Sequence, residues 1–250
     1  MKATILAEIE KLTKAKAGLS ISIVGAGGKT SLMRYLADRL QGPVICTTST
    51  KLSVDEAVFF DRHIVWTDMQ AIFADLVEVK GNVLVTGEPV FVNGIHKLSG
   101  LTEQQLVELN QICAEKRCSL IIEADGSKRR PLKAPADWEP VIPALSDLVI
   151  VVVGLDGLMK PLNEENVFRS QIFGQLTGLA IGQVVDLQAI LCYLQHPLGG
   201  LKGIPEKAKR FALFIPTRCE SPEMVDQESI EKELTGFYDG IFIESVVLSS

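Results

Sequence analysis

The residues best suited to chemistry in this 250-residue chain form one glycine-rich segment, Gly25-Ala26-Gly27-Gly28-Lys29-Thr30-Ser31. It follows apolar residues 21–24 and opens an amphipathic pattern at 31–40. Glycines let backbone N–H groups curl around a phosphate without side-chain clashes, and a helix N-terminus adds partial positive charge. Lys29 can neutralise the outer phosphates, and Thr30 can ligate Mg²⁺. The segment therefore predicts a nucleotide phosphate site at residues 25–31, with Thr30 as a metal ligand.

This loop is shorter than the full P-loop pattern, G-x-x-x-x-G-K-[ST]. The first glycine of that pattern would stand at position 23, where the chain has Ile23. The segment is similar to the G-T-x-G-K-T loop of Mur-type ligases. The spacing favours phosphate binding more firmly than any one P-loop subclass, and a glycine turn made only for packing is the alternative interpretation.

Two carboxylates, Glu123 and Asp125, follow apolar residues 120–122. Because side chains alternate along a strand, residues 123 and 125 share a face. We expect both to approach the Mg²⁺ ion and its water shell, Asp125 as a metal ligand and one of the two as a catalytic base. The alternative interpretation is capping of the strand end.

A run of four hydroxyls, Thr47-Thr48-Ser49-Thr50, stands where the second strand is expected to end. In open α/β sheets, ligands bind at the carboxyl ends of the strands. Thr48 is therefore a further candidate metal ligand, and turn or cap chemistry explains the same residues equally well.

Four cations lie within six residues of the chain after the two acids: Lys128, Arg129, Arg130 and Lys133. They form a candidate anion clamp, in which we expect Lys128 and Lys133 to stabilise charge that develops during the reaction. A solvated charged loop is the alternative interpretation. Two more candidates follow: Glu139, presented by a proline-bounded segment or by a plain surface turn, and Arg169, a phosphate contact or a helix-surface charge.

The elements that must position these residues show the pattern of an α/β protein. Short apolar runs alternate with helical patterns, which predicts a mostly parallel sheet flanked by helices in three layers, like that of P-loop NTPases. We expect one P-loop-like domain over residues 1–250, with a small β-hairpin insertion at the sheet edge within residues 81–100. The predicted strands lie at residues 20–24, 44–47, 83–86, 120–122, 148–153, 211–215 and 241–248.

Composition excludes several classes of protein. The chain is 47% hydrophobic and 22% charged with a formal net charge of −6, which argues against general binding to nucleic-acid phosphates. Its apolar runs are far shorter than the ~20 residues of a membrane helix. Five scattered cysteines and an N-terminus without a signal pattern predict a cytoplasmic protein with reduced thiols. The oligomeric state stays open.

Residues 216–220, after the sixth predicted strand, bear on base recognition. GTPases place Asn-Lys-x-Asp after a late strand to bind guanine, whereas this chain has Pro216-Thr217-Arg218-Cys219-Glu220. We therefore expect Mg²⁺ and ATP as cofactors, and GTP stays open.

Longer motifs carry a family resemblance that extends from about residue 18 to Arg169. The chain resembles the YqeC-type proteins, accessory factors for selenium-dependent molybdenum hydroxylases. The resemblance implies a role in maturing such an enzyme, or its cofactor, as partner. The motifs are Gly-Ala-Gly-Gly-Lys-Thr at 25–30, the threonine-rich 47–50, Glu-Ala-Asp-Gly-Ser at 123–127, Pro-Leu-Lys-Ala-Pro-Ala at 131–136 and Glu-Pro-Val-Ile-Pro at 139–143.

Three positions depart from the pattern expected of that family. Trp138 and Phe168 stand where histidines are expected before Glu-Pro and before Arg169, and 216–219 replaces an Asn-Lys-x-Asp-like stretch. If those histidines carry chemistry in relatives, this member has altered or lost it. The leading hypothesis is a Mg²⁺-dependent NTPase or phosphoryl-transfer enzyme. The alternatives are a nucleotide-gated chaperone or switch for a client metalloenzyme, and an ATP-dependent, Mur-ligase-like enzyme that activates a carboxylate.

Overall fold

The computed structural model describes residues 4–76, 81–92, 94–216 and 225–246. The helices of this part are α1 (Ile5–Ala15), α2 (Lys29–Arg39), α3 (Met69–Asp75), α4 (Glu103–Lys116), α5 (Ser170–Thr177), α6 (Leu187–Gln195) and α7 (Gln227–Leu234). The strands are β1 (Ser20–Gly25), β2 (Val44–Thr48), β3 (Lys51–Ser53), β4 (Arg62–Val65), β5 (Asn82–Thr86), β6 (Pro89–Val92), β7 (Ile95–Ser99), β8 (Ser119–Glu123), β9 (Leu132–Lys133), β10 (Leu148–Gly154), β11 (Val167–Phe168), β12 (Lys209–Ile215) and β13 (Gly240–Ile243).

A large parallel sheet organises the described chain. Its eight strands run in the order β13-β12-β10-β1-β8-β2-β5-β4, and each neighbouring pair is parallel. All seven strands predicted from sequence take part in this sheet. The last ends at Ile243, so its prediction over 241–248 was too long at residues 244–246, and residues 247–248 lie outside the described part. The α/β class and the mostly parallel sheet are confirmed.

Apolar side chains cover both faces of the sheet, because the strands alternate them above and below. Within β1, Ile21 and Ile23 pack on one face with α1 and α2, whereas Val24 packs on the other face. The second face is covered by α3 to α7. The result is the three-layer arrangement expected from the alternating pattern.

The hairpin insertion differs from its expected place. Residues 83–86 belong to β5, inside the large sheet, and the hairpin itself is β6 with β7. This hairpin pairs with β3 in a separate three-stranded antiparallel sheet, so it does not extend the edge of the large sheet, which is β4. No strand was predicted at β4, because Arg62 and His63 break the apolar run there.

Helix starts follow their capping signals. The Asp186 carboxylate accepts a hydrogen bond from Ala189 N–H at α6, and Thr102 with Gln105 forms a capping box at α4. Helix α2 starts at Lys29 with Gly28 as its cap residue. Ser221-Pro222 is a sequence typical of a cap and first residue of a helix, and it lies outside the described residues.

Candidate functional site

The glycine loop between β1 and α2 is shaped by close backbone packing. Gly25, Gly27 and Gly28 have φ values of 96°, 78° and 133°, a region that side chains disfavour. A Cβ on Gly27 would collide with Gly154 Cα and would lie 2.7 Å from Pro131 O. The loop therefore sits directly against the end of β10 and the segment before β9.

The five consecutive backbone N–H groups of residues 27–31 have no hydrogen-bond acceptor among the described residues. Gly25 N–H donates to Asp125 Oδ2 at 3.0 Å, and Ala26 N–H donates to Val152 O at 2.9 Å. The first helical bond is that of Leu32 N–H to Gly28 O, and no described residue accepts from the five groups between. All five residues line one large cleft.

The Lys29 side chain lies beneath the loop, with 3% of it exposed. Its ammonium donates to Gly25 O at 2.7 Å and lies 3.2 Å from Asp125 Oδ1 and 3.9 Å from Glu123 Oε1. Both carboxylates expected to share a face therefore do converge, and they converge on this lysine.

The pair of side chains best suited to hold a metal ion consists of Thr30 and Glu123. Thr30 Oγ1 donates to Glu123 Oε2 at 2.8 Å, and both residues line the cleft. Burial raises the pKa of Glu123 above its ordinary value, and the nearby Lys29 charge and the Thr30 hydrogen bond only partly oppose this. The chemistry of this pair is that of hard oxygen ligands beside a helix N-terminus.

Asp125 occupies a different place from the one expected of it. Its Oδ2 accepts from Gly25 N–H and pairs with Lys133 Nζ at 2.9 Å, and it does not line the cleft. Asp125 Oδ1 lies near Lys29 but accepts no hydrogen bond from the described residues. Asp125 therefore holds the two lysines, and Glu123 rather than Asp125 stands beside Thr30.

These contacts continue into a series of ion pairs that is buried at Lys133 and partly buried at Glu139 and Arg169. Lys133 Nζ contacts Glu139 Oε2 at 2.7 Å and Gly126 O at 2.8 Å, and its side chain is 1% exposed. Arg169 holds the same carboxylate through two bonds, at 2.7 and 3.0 Å. Burial acts to raise the pKa of Glu139, but the hydrogen bonds from Arg169 and Lys133 outweigh it, so this pKa lies below its ordinary value.

The pairing of β9 with β11 brings these residues together, because it sets Lys133 opposite Phe168. Lys133, expected to contact developing charge, is instead enclosed by three oxygen atoms and does not line the cleft. Arg169, predicted either as a phosphate contact or as a helix-surface charge, lines the cleft. It precedes α5 with φ 62° and is tied to Glu139.

Thr48, the remaining candidate metal ligand, uses its hydroxyl within the protein. It donates to Glu123 O at 2.9 Å and accepts from Thr50 N–H at 3.1 Å, and it is fully buried. Its position at the carboxyl end of β2 is as expected. The turn-and-cap interpretation describes its contacts.

The cleft has a volume of about 1130 Å³ and lies over the carboxyl edge of the large sheet. Three candidate site residues, Lys128, Glu139 and Arg169, line it. Sequence reasoning missed several other lining residues, because they come from the small antiparallel sheet and the segment around it: Lys51, Ser53, Glu56, Ile95 and Lys97. The packing of Gly154 on the glycine loop was also missed, although the Gly-Leu-Asp-Gly run after β10 was a usable signal.

The two aromatic residues at expected histidine positions lie around Arg169. Its guanidinium is 4.2 Å from the Phe168 ring centroid and 5.9 Å from that of Trp138. Lys128 Nζ lies 4.8 Å from the Phe168 ring. Phe168 lines the cleft, whereas Trp138 is 74% exposed. Aromatic faces here support cations.

Comparisons with known proteins agree with the motifs on this edge of the sheet. A family model described as YqeC protein matches residues 21–171, which include the glycine loop, both acids and Arg169. The chain belongs to the YqeC family. A relative from Escherichia coli (strain K12), described as uncharacterized protein YqeC, is 34% identical over 214 residues, covering 80% of this chain and 77% of that protein.

Two negative findings complete the comparison. No solved structure shows significant similarity to this YqeC-family chain. Within the described residues, none of the helices combines the length and the apolar character needed to cross a membrane.

Proposed function

We propose that this YqeC-family protein binds a nucleoside triphosphate with Mg²⁺ and hydrolyses it or transfers its terminal phosphoryl group. The observation that supports this most is the row of N–H groups at 27–31, which open onto the cleft without an acceptor among the described residues. A row of N–H groups at a helix N-terminus, with the partial positive charge of the helix behind it, favours an anion. Phosphate oxygens are acceptors of the required number and charge. A glycine turn made for packing explains Gly25 and Gly27 but leaves these donors unused.

The residues beside the loop fit a magnesium ion. Thr30 Oγ1 and the Glu123 carboxylate lie side by side, and Mg²⁺ in nucleotide sites is usually held by one or two protein oxygens together with phosphates and water. No group of three or more acidic, histidine or cysteine residues in the described chain could hold a metal ion by itself. That agrees with an ion held jointly with phosphates. When bound, Mg²⁺ would neutralise charge on the transferred group.

Lys29 supplies the mobile cation in this proposal. Its ammonium exchanges Asp125 for an oxygen of the bound phosphates, while Asp125 keeps the Gly25 N–H and Lys133 as partners. Phosphoryl transfer needs positioning and electrostatic stabilisation more than covalent chemistry from the protein. The loop amides, Lys29 and the Thr30–Glu123 pair provide these two functions.

We propose ATP as the nucleotide, with GTP as the alternative, because residues 216–220 lack an Asn-Lys-x-Asp sequence. Residues 217–224 lie outside the described part of the chain. The resemblance to accessory factors for selenium-dependent molybdenum hydroxylases supports a role in maturing such an enzyme or its cofactor. The match over residues 21–171 covers the region on which that resemblance rests.

A nucleotide-gated switch for a client enzyme is the second candidate, and the ion-pair chain favours it. This series of ion pairs runs from Lys29 in the phosphate loop to Arg169 at the start of α5. A change of partner at Lys29 therefore alters the charge balance at the other end. Turnover that rises only after a client protein is added would favour the switch, and turnover with a small molecule alone would favour the enzyme.

Calorimetric titration of ATP and GTP, each with and without Mg²⁺, tests the proposed site. Lys29→Ala is expected to lower nucleotide affinity about 10- to 100-fold, as expected for one lost charge-assisted contact. Thr30→Val and Glu123→Gln are expected to remove the benefit of Mg²⁺ while keeping Mg²⁺-free binding. Thermal unfolding of each variant reports whether it is folded, and Lys207→Ala, an exposed lysine off the cleft, is the matched control.

Two results would contradict the proposal. The first is wild type that binds neither nucleotide. The second is Lys29→Ala with wild-type affinity, which would mean that the loop amides serve another ligand or packing alone. Equal loss of Mg²⁺-dependent and Mg²⁺-free binding in Glu123→Gln would assign that carboxylate a structural task.

A further inference from the structure

The segment after Asp125 contains a turn whose central residues are unusual for its geometry. Lys128 and Arg129 have φ values of 48° and 60°, and Arg130 N–H donates to Ser127 O at 3.0 Å. This is the arrangement of a type I′ turn, in which both central residues are left-handed and Asn-Gly is the preferred sequence. Two long cations at these positions store backbone strain, and such strain persists mainly where function requires it.

The position of this turn relative to the phosphate loop is fixed at both ends. Asp125, before the turn, accepts from Gly25 N–H at 3.0 Å. Pro131, after it, accepts from Gly154 N–H at 3.1 Å and leaves no room for a Cβ on Gly27. The cations of the turn are therefore carried on the same framework as the loop amides, with little freedom to withdraw from the cleft.

The cleft holds more positive charge than a nucleotide site uses. Lys29 and Arg169 are paired with carboxylates, whereas the other five lining cations form no ion pair or side-chain hydrogen bond with any residue that the structure describes. In a chain with a net charge of −6, this concentration marks an anion site. The five are Lys51, Lys97, Lys128, Arg129 and Arg130, of which Lys128 lies over the Phe168 ring.

We propose that the cations of the 127–130 turn bind a second substrate, a small molecule that carries a phosphate or carboxylate group, beside the nucleotide. The proposal rests on the function proposed above, because the second ligand would be the acceptor in phosphoryl transfer. The volume of about 1130 Å³ lies above the ~300–1000 Å³ of typical ligand pockets, which agrees with more than one ligand in the cleft. Arg129 and Arg130 offer planar donor pairs that match either oxyanion.

The nucleotide's own phosphates are the competing occupant of the turn. They already have the five N–H groups, Lys29 and the Thr30–Glu123 metal site, which together match the needs of a Mg²⁺-bound triphosphate. Lys51 and Lys97 come from β3 and β7, on the small antiparallel sheet, and extend the positive lining beyond the loop. The observations therefore favour a separate anion.

The test uses protein saturated with Mg²⁺ and a non-hydrolysable ATP analogue, so that the phosphate loop is filled. Pyrophosphate and succinate are titrated in separate arms, which distinguish a phosphate-bearing from a carboxylate-bearing ligand. The variant is Arg129→Gly/Arg130→Gln, which removes both guanidinium groups and gives the turn the glycine it prefers. The control is Lys207→Gln/Lys209→Gln. It also removes two positive charges, but at the amino-terminal end of β12, away from the cleft.

We expect at least one probe to bind wild type and the control equally, and the turn variant at least about tenfold more weakly. The melting temperature of the turn variant should be unchanged or raised by about 1–4 °C, because the glycine relieves strain at position 129. Analogue affinity should stay within about twofold of wild type. Together these results would separate an anion-binding defect from a folding defect.

Three results would overturn the proposal. One is that neither probe binds; another is that the variant binds them as wild type does. The third is that a probe binds the protein without the analogue but not the protein saturated with it, which would place the turn on the nucleotide's own phosphates. If the analogue itself fails to bind but Lys29→Ala keeps a pyrophosphate site that the turn variant lacks, the anion site stands and the nucleotide proposal fails.

Discussion

Lys133 allows the sharpest test of the buried ion pairs, because its replacement changes the charge balance of the site by one unit. Three cations, Lys29, Lys133 and Arg169, lie among three carboxylates, Glu123, Asp125 and Glu139. In Lys133→Met, three carboxylates face two cations. The methionine side chain is of similar length, so packing is largely kept while the charge and three contacts at 2.7–2.9 Å are lost.

The expected destabilisation follows from what the remaining partners can do. Removing one member of a buried pair costs about 3–5 kcal/mol when the other charge is left alone. Here Asp125 keeps Lys29 and the Gly25 N–H, and Glu139 keeps Arg169. The lower end applies, about 3 kcal/mol. For a chain of this size that corresponds to a fall in melting temperature of about 6–12 °C.

Chemical and thermal unfolding at neutral pH measure this loss, with exposed Lys207→Met expected within about 0.5 kcal/mol of wild type. A second variant, Lys133→Met/Glu139→Gln, restores the balance of charges. It should be destabilised by less than the sum of its two single changes. A loss below about 1 kcal/mol in Lys133→Met, or strict additivity in the double variant, would refute the picture of Lys133 as the cation between two carboxylates.

The remaining predictions concern pH, the glycine loop and helix capping. Burial acts to raise the pKa of Glu139, and the Arg169 and Lys133 hydrogen bonds outweigh it, so its stabilisation is complete above its ordinary value of 4.5 and is lost as the pH falls through the lower folded-state value. Glu139→Gln should therefore flatten the acid side of the stability–pH curve, followed by urea unfolding between pH 3 and 6. Gly27→Ala should cost at least about 1–3 kcal/mol in thermal unfolding, because φ is 78° and the new Cβ meets Gly154 and Pro131. Asp186→Ala should cost about 1 kcal/mol in the same assay through the lost cap of α6, and leave nucleotide titrations unchanged.

The central sheet could be predicted from sequence because its strands are buried on both faces. Runs such as Leu148–Gly154 are apolar throughout, and neither a helix period nor a loop explains them. Strand β4 lacked that signal, because an edge strand needs only one buried face. Strands β9 and β11 contain two residues each, and the paired residues lie more than thirty positions apart in the sequence. No local sequence pattern therefore indicates them.

The candidate site was partly predictable for a related reason. The glycine loop and the two acids each follow a strand, and parallel strands bring their carboxyl ends to one edge. Which acid contacts which cation depends on the β9–β11 pairing, which carries Lys133 and Arg169 to the same carboxylate. Sequence spacing therefore identified charged residues of the site but could not assign Lys133 and Asp125 to the layer beneath the cleft.

That buried layer bears on how the proposed nucleotide complex could form. Lys29 must leave Asp125 to reach a phosphate, and a buried carboxylate left alone would oppose this by several kcal/mol. Lys133 removes most of that penalty, because it stays 2.9 Å from Asp125 Oδ2 while Lys29 moves. In the proposed mechanism Lys133 therefore allows Lys29 to reach the phosphates, although Lys133 itself touches no ligand. The alternation of charges from Lys29 to Arg169 gives Asp125 and Glu139 two cationic neighbours each, so each of these two carboxylates can lose one cation and keep the other.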